Sequence, residues 1–299
     1  MMKINIAGVE FKNPVTTASG TFGSGREYGE FIDLNCLGAI TVKGVSYKPW
    51  NGNDTPRIAE VYGGMLNSIG LQNLGVDYFI ENDLPYLKNF DTKIIVNICG
   101  HTIEEYCIVA EALENTAVDL LELNISCPNI QDGGMAFGTD HTMTEKVVSA
   151  VRKSTSKPLI VKLSPNVSNI AEIAKAAESG GADGLSLINT LLGMKIDIRK
   201  KAAVLHNKMG GLSGPAIKPV AVRMVHQVSK AVSLPIIGMG GIMNVEDAIE
   251  FIMAGATGVA VGTANFANPY ACQEIVSGIE KFMIDNNIKD LAEIRGIVE

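Results

Sequence analysis

Eight short runs rich in apolar and β-branched residues, spread along the chain and separated by stretches of helical periodicity, constrain this fold more than any other feature. They occupy residues 15–19, 40–43, 94–97, 120–124, 159–163, 184–188, 236–238 and 258–261. Runs of this kind, apolar without strict alternation, belong to strands buried on both faces, as in a parallel sheet covered by helices. The periodicity between them predicts helices over residues 103–113, 145–153, 170–179, 215–232, 245–254 and 270–285. Pro215 stands at a first helical position, and Asn244 is placed to cap a helix whose first turn carries Glu246 and Asp247. Eight such repeats predict an α/β chain folded as a closed (β/α)8 TIM barrel rather than an open doubly wound sheet. Residues 3–12, with Gly8 in their middle, read as an N-terminal hairpin capping the barrel bottom. No linker rich in Pro, Ser or charge divides residues 1–299, so one catalytic domain is expected.

Composition narrows the classes. A content of 46% hydrophobic and 19% charged residues fits many fully buried strands. The net charge of −7, with no Lys/Arg block, argues against nucleic acid, which needs a clustered basic surface. The N-terminus alternates apolar with polar residues and no later segment is apolar for long enough to span a bilayer, so a cytoplasmic protein is expected. Cys36, Cys99, Cys107, Cys127 and Cys272 are scattered and form no Cys-x-x-Cys pair, which disfavours a disulfide framework, a zinc site or an iron–sulfur cluster within this chain. The glycine-rich run 20–29 has Tyr28 where a dinucleotide fingerprint needs glycine, and no Walker A sequence occurs.

In a barrel the C-terminal strand ends converge on one mouth. Here they supply Ser19-Gly20, Lys43-Gly44, Asn97, Asn124 with Cys127, Lys162 with Ser164, Asn189-Thr190, Gly240-Gly241 and Gly262-Thr263. Gly240, Gly241, Gly262 and Thr263 follow the last two strands, where backbone N–H groups commonly bind a phosphate, and glycine allows close approach of an anionic oxygen. The bland alternative is that these glycines only make tight turns. Lys43 and Lys162 end apolar strands, where a charge is costly unless an anion faces it. That anion is a bound ligand or a structural carboxylate. Cys127 leaves the mouth within Asn124-Ile125-Ser126-Cys127-Pro128-Asn129; most cysteines are inert small hydrophobes, but these polar neighbours favour a catalytic thiol acting as base or nucleophile. None of His101, His141, His206 or His226 is placed to pair with it. The long connection between residues 44 and 93 reads as an ordered, glycine-rich functional loop without helix, and Trp50 within it as either surface or a subunit contact.

Several segments, in order along nearly the whole chain, resemble the class 1 dihydroorotate dehydrogenases. They are Ala18-Ser19-Gly20, Asn67-Ser68-Ile69-Gly70-Leu71-Gln72-Asn73, Asn124-Ile125-Ser126-Cys127-Pro128-Asn129, Lys162-Leu163-Ser164-Pro165-Asn166, Ile188-Asn189-Thr190, Gly211-Leu212-Ser213-Gly214-Pro215, Gly238-Met239-Gly240-Gly241 and Val261-Gly262-Thr263. Cysteine at 127, where class 2 enzymes carry serine, resembles class 1; the segments 162–166 and 133–138 resemble its 1B type. The resemblance implies FMN bound by Ser19, Lys43, Gly44, Asn97, Asn124, Lys162, Ile188, Gly214, Gly240, Gly241, Gly262 and Thr263. It implies substrate contacts from Lys43, Asn67, Ser68, Ile69, Gly70, Leu71, Asn124, Asn189 and Thr190, with Cys127 as the base that takes the C5 proton of dihydroorotate, flanked by Asn124 and Asn129 as orienting groups. It further implies NAD as final acceptor, reached through a partner subunit carrying FAD and a 2Fe-2S cluster, in a heterotetramer of two catalytic and two partner chains around a homodimer core. A fumarate-linked class 1A enzyme, a Schiff-base aldolase or synthase and a phosphate-ligand binder are the competing readings.

Overall fold

A computed structural model describes residues 2–126 and 137–299. The chain opens with the antiparallel pair β1 (Ile4–Ile6) and β2 (Val9–Phe11), registered Ile6 opposite Val9. Ala7 and Gly8 between them both have positive φ, 53° and 84°. That pair of left-handed residues is the two-residue turn whose twist suits a tight hairpin. Ile6 and Phe11, both buried, pack into a cluster with Ala39, Ile95, Leu120, Ile160, Ile237 and Ala260. These lie in six different barrel strands, so the hairpin plugs the barrel floor as the sequence predicts. Burying each such side chain stabilises by about 1.5–3 kcal/mol.

The barrel strands are β3 (Val15–Thr17), β4 (Ala39–Thr41), β7 (Lys93–Ile98), β8 (Leu120–Asn124), β9 (Leu159–Lys162), β10 (Gly184–Leu187), β15 (Ile236–Met239) and β16 (Gly258–Val261). All neighbours pair in parallel and the sheet closes in the order β3-β4-β7-β8-β9-β10-β15-β16, back to β3. All eight strands therefore fall within about two residues of their predicted ends. Period-two geometry then sorts the side chains. On β8, Leu121 and Leu123 join the layer shared with the helices, whereas Leu120 belongs to the floor cluster. Glu122 and Asn124 share the phase of Leu120 and stack above it inside the barrel. By the same alternation Asn97 stands above Ile95 and Lys162 above Ile160, so the interior changes from an apolar floor to a polar upper half.

The strands the sequence reading lacks are on top. Within the 44–93 connection lie β5 (Ile58–Val61) and β6 (Gly64–Asn67), and between residues 188 and 214 lie β11 (Leu191–Met194), β12 (Ile196–Asp197), β13 (Ala202–Ala203) and β14 (Met209–Ser213). Two separate insertions thus build one antiparallel sheet, ordered β11-β14-β6-β5, over the mouth. The expectation of an ordered loop without helix is corrected on both counts: residues 58–61 and 64–67 are strands, and residues 75–87 carry helical turns interrupted by a wide π turn at Phe79–Asp83. Trp50 packs against His101 with ring centroids 4.1 Å apart and planes tilted by 31°, so its ring has an intramolecular partner.

Helices follow the strands nearly as expected. Asp140 accepts the backbone N–H of Met143 at 2.9 Å, which starts the helix His141–Ser154 four residues before the predicted position. The predicted helix 215–232 divides into a 3-10 turn at Pro215–Ile217 and the helix Lys218–Ser229. Asn244 caps as expected, its side chain accepting from Asp247 N at 2.9 Å. Among the described residues no helix is long and apolar enough to cross a membrane.

Candidate active site

A cleft of about 240 Å³ opens at the C-terminal strand ends beneath the added sheet. Of the residues singled out from the sequence, it is lined by Ser19, Lys43, Asn67, Ile69, Gly70, Leu71, Asn124, Lys162, Ile188, Asn189, Thr190, Gly214, Gly240, Gly241, Gly262 and Thr263. Gly44, Asn97 and Ser68 lie behind its wall. A Cβ on Gly44 would stand 3.0 Å from Asn97 Oδ1, Asn97 is fully buried, and Ser68 is held by Asn53, whose Nδ2 donates to its hydroxyl at 3.2 Å. Cys127 and Asn129 lie outside the described residues. The insertions contribute Met65, Gly211 and Ser213, and Phe266 stands at the rim; Gly211 and Ser213 lie in the resembling segment 211–215 without having been assigned a contact, and Met65 and Phe266 carried no sequence signal.

The two ends of the cleft differ chemically. At one end, Gly214, Gly240 and Gly241 have φ of 103°, 123° and 84°. A Cβ on Gly240 would come within 2.9 Å of Ala221, and one on Gly241 within 2.8 Å of the Gly214 carbonyl oxygen. Only glycine fits there, for conformation and for space. The backbone N–H groups of Gly240, Gly241, Gly262 and Thr263 donate to no acceptor among the described residues. Four residues with unengaged N–H groups lining one pocket beside the start of the helix Lys218–Ser229 suit an anion of phosphate size. Lys218 itself is engaged elsewhere, donating to Asp247 at 2.7 Å and Glu250 at 2.6 Å, contacts that raise its pKa.

At the inner end stand Lys43, Lys162 and the asparagines. Lys43 reaches over Ser19-Gly20, its Nζ 3.6 Å from where a Cβ of Gly20 would be. The Lys162 side chain is 5% exposed and its Nζ lies 4.0 Å from Glu122 Oε2. A structural carboxylate therefore accompanies this lysine while its cleft face is open to a second anion. Glu122, absent from the sequence reading, accepts hydrogen bonds from Asn97 Nδ2 and from Ser186 Oγ, each at 2.6 Å. Asn124 donates from Nδ2 to Asn97 Oδ1 at 3.3 Å and accepts from Ser126 Oγ at 2.8 Å. Ser126 in turn accepts from Asn189 Nδ2 at 2.7 Å. Tyr106 Oη donates to the Asn124 carbonyl at 2.8 Å, tying the end of β8 to the helix Ile103–Leu113. The insertion is fastened from the motif 162–166: Asn166 donates to the Thr190 carbonyl at 3.1 Å and accepts from Leu192 N at 2.9 Å.

A long cleft with an anion cradle at one end and two lysines among orienting amides at the other suits a phosphorylated planar cofactor lying along it, with a small acidic substrate against its inner end. The comparisons with known proteins show the family. The family model for dihydroorotate dehydrogenase matches residues 1–283. The dihydroorotate dehydrogenase B (NAD(+)) catalytic subunit of Alkaliphilus metalliredigens is 68% identical, covering 99% of this chain and 98% of the relative. The proteins of the same name from Lachnoclostridium phytofermentans and Petrotoga mobilis are 66% and 56% identical, each covering 99% of both chains. The chain belongs to the dihydroorotate dehydrogenase family.

Proposed function

We propose that this chain is the catalytic subunit of an NAD-linked dihydroorotate dehydrogenase of pyrimidine biosynthesis, oxidising (S)-dihydroorotate to orotate. The observation that carries the proposal is the two-ended cleft: the unengaged N–H groups of Gly240, Gly241, Gly262 and Thr263 and, across it, Lys43 and Lys162 beside Asn67, Asn124 and Asn189. The cradle suits the phosphate of FMN, and Lys162 is placed to offset negative charge on its ring. When bound, FMN would supply the hydride acceptor, at N5, for the hydrogen leaving C6 of the substrate. Asn67, Asn124 and Asn189 would hold the amide edges of the substrate ring through complementary donors and acceptors, with Lys43 facing its carboxylate.

The proton at C5 falls to Cys127 as thiolate base. That assignment rests on the sequence of the 124–129 loop, and it is supported by the anchoring of Ser126, the residue before it, to Asn124 and Asn189. Gly44, Asn97 and Ser68 would act by shaping the wall behind Lys43 and Asn124 rather than by touching ligand. A separate subunit carrying FAD and a 2Fe-2S cluster would link this chain to NAD in a cytoplasmic assembly of two catalytic and two partner chains.

Purified protein should be yellow and release FMN on denaturation, and stopped-flow mixing with dihydroorotate should bleach the flavin. Cys127→Ser should retain FMN and slow that bleaching by roughly 10²–10⁴-fold at neutral pH, because a hydroxyl is a far weaker base than a thiolate. A colourless protein that FMN cannot reconstitute would end the proposal, and bleaching at the unaltered rate in the serine variant would remove Cys127 from it. NAD reduction by the isolated chain would remove the partner subunit; rapid turnover with fumarate would replace NAD as acceptor.

A further inference from the structure

The geometry points to Glu122 as a positioning residue that fixes which way the site's asparagine amides face. The inference rests on the dehydrogenase reading for the identity of the ligand and on the hydrogen-bond chain for everything else. Among the described residues, the groups that hydrogen-bond or pair with the Glu122 side chain are donors: Asn97 Nδ2 at 2.6 Å, Ser186 Oγ at 2.6 Å and Lys162 Nζ at 4.0 Å. A carboxylate can only accept. Asn97 must therefore turn its amide nitrogen toward Glu122 and its oxygen toward Asn124, which must answer with its own nitrogen. The oxygen of Asn124 is left to accept from both the hydroxyl and the backbone N–H of Ser126, at 2.8 and 3.3 Å. With its hydroxyl proton committed, Ser126 Oγ accepts from Asn189 Nδ2 at 2.7 Å, and the Asn189 oxygen accepts from Thr190 N at 2.8 Å.

One buried acid thus propagates a single donor-to-acceptor sense through Asn97, Asn124, Ser126 and Asn189. An amide can turn over with little change in shape, but here each flip would set donor against donor or acceptor against acceptor, and in this buried setting the cost is high. The consequence in the cleft is specific: Asn124, its oxygen doubly engaged, keeps one N–H to offer to an acceptor atom of the ligand. Glu122 makes no contact with the cleft itself and acts through the amides.

Two substitutions separate this role from the alternatives. Glu122→Gln removes the charge but keeps an oxygen toward Asn97, since its amide nitrogen can donate to Ser186, whose hydroxyl rotates. Glu122→Met keeps the length and removes the acceptor. Orotate affinity is measured by titration calorimetry on the full FMN-loaded chain, and the asparagine side-chain amide signals are followed by NMR in ¹⁵N-asparagine-labelled protein, with assignments from N97D and N124D. Glu122→Met should weaken orotate binding roughly 10- to 100-fold and shift the Asn97 and Asn124 signals and speed their exchange, while FMN remains bound. Glu122→Gln should hold orotate within about threefold of the parent and keep those signals protected. Equal weakening in both variants would overturn the inference in favour of simple neutralisation of Lys162. Unchanged affinity and protected amides in a folded Glu122→Met protein would overturn it outright. If the parent itself takes up no orotate, the dehydrogenase reading falls, and the amide signals of the two variants alone uphold or refute the positioning chain.

Discussion

Gly241→Ala and Gly8→Ala form a matched pair that tests the anion cradle. Both glycines sit at φ +84°, so alanine carries the same left-handed cost at either position, about 1–2 kcal/mol. Their surroundings differ completely. A Cβ on Gly8 meets nothing within 4 Å, whereas on Gly241 it meets the Gly214 oxygen at 2.8 Å and Lys218 N and Cβ at 2.9 Å. Those contacts involve backbone on both sides, so relief requires the Gly240-Gly241 turn to move away from the start of the helix Lys218–Ser229. Crowding of this kind costs about 1–3 kcal/mol. If the displacement is borne by the cradle, flavin affinity should fall roughly 5- to 150-fold, at 1.4 kcal/mol per tenfold change. FMN per chain after dialysis, and Kd from fluorescence quenching on reconstitution, give the answer. Gly8→Ala supplies the baseline: a melting temperature lower by a few degrees, at about 2–4 °C per kcal/mol, with flavin stoichiometry unchanged. Gly241→Ala binding FMN as tightly as the parent would show that the 240–241 turn is only a turn. Equal flavin loss in both variants would show that global stability, not the cradle, governs retention.

Two further outcomes follow from titrating groups. Hydrogen bonds from the hydroxyls of Ser156 and Thr155 hold the Glu114 carboxyl down to about 2. A depressed carboxylate contributes stability above its unfolded value, about 4.3, and loses it as pH falls through the folded one. Glu114→Gln should therefore be less stable than the parent at pH 6–7, with the gap in denaturant midpoint closing toward pH 2; a gap independent of pH would mean that the hydrogen bonds act without the charge. Burial pushes the Cys272 thiol up to about 12. Its thiolate fraction at pH 8 is then about 10⁻⁴, and iodoacetamide followed by peptide mass spectrometry should leave it unmodified in native protein while labelling Cys127. Prompt labelling of Cys272 would contradict its packing.

The barrel was legible because parallel strands buried on both faces carry a largely apolar signature, and β7, β8, β9 and β15 are each followed by a helix with a side-chain N-cap. Asn244 shows how local that information is: its side chain bonds to Asp247 N, three residues on, and needs no tertiary context. The sheet over the mouth was illegible for the opposite reason. β14 pairs with β6 across more than 140 residues, Leu212 opposite Leu66 and Gly211 opposite Asn67, and the edge strands β5 and β11 are four residues each, too short to show a period of their own. Glycines at 63, 64, 70, 210, 211 and 214 read as turns one at a time. Several instead mark backbones in close approach: a Cβ on Gly64 would fall 1.9 Å from the Ser213 carbonyl oxygen, and one on Gly210 2.7 Å from the Asn67 carbonyl oxygen. Close packing between two remote segments leaves glycine on both without saying where the partner is.

The site divides along the same line, and the division locates its least visible member. Lys43 and Lys162 stand out because a charge that ends an apolar strand demands an anion. Glu122 meets that criterion equally: it lies in Leu120-Leu121-Glu122-Leu123-Asn124 and is 2% exposed. Its position within the strand, rather than at its end, removed it from a search confined to the mouth. Yet a carboxylate buried one layer below the mouth is more informative than one at the rim. At the rim water can satisfy it, and its neighbours remain free to turn. In the barrel interior its partners must all be donors, and an asparagine above it inherits that requirement. The strand-end amides that the family resemblance implies as substrate contacts are therefore half of the proposed mechanism. The other half is the acid beneath them, and a buried charge of either sign within a barrel strand should be sought wherever asparagines crowd the mouth above it.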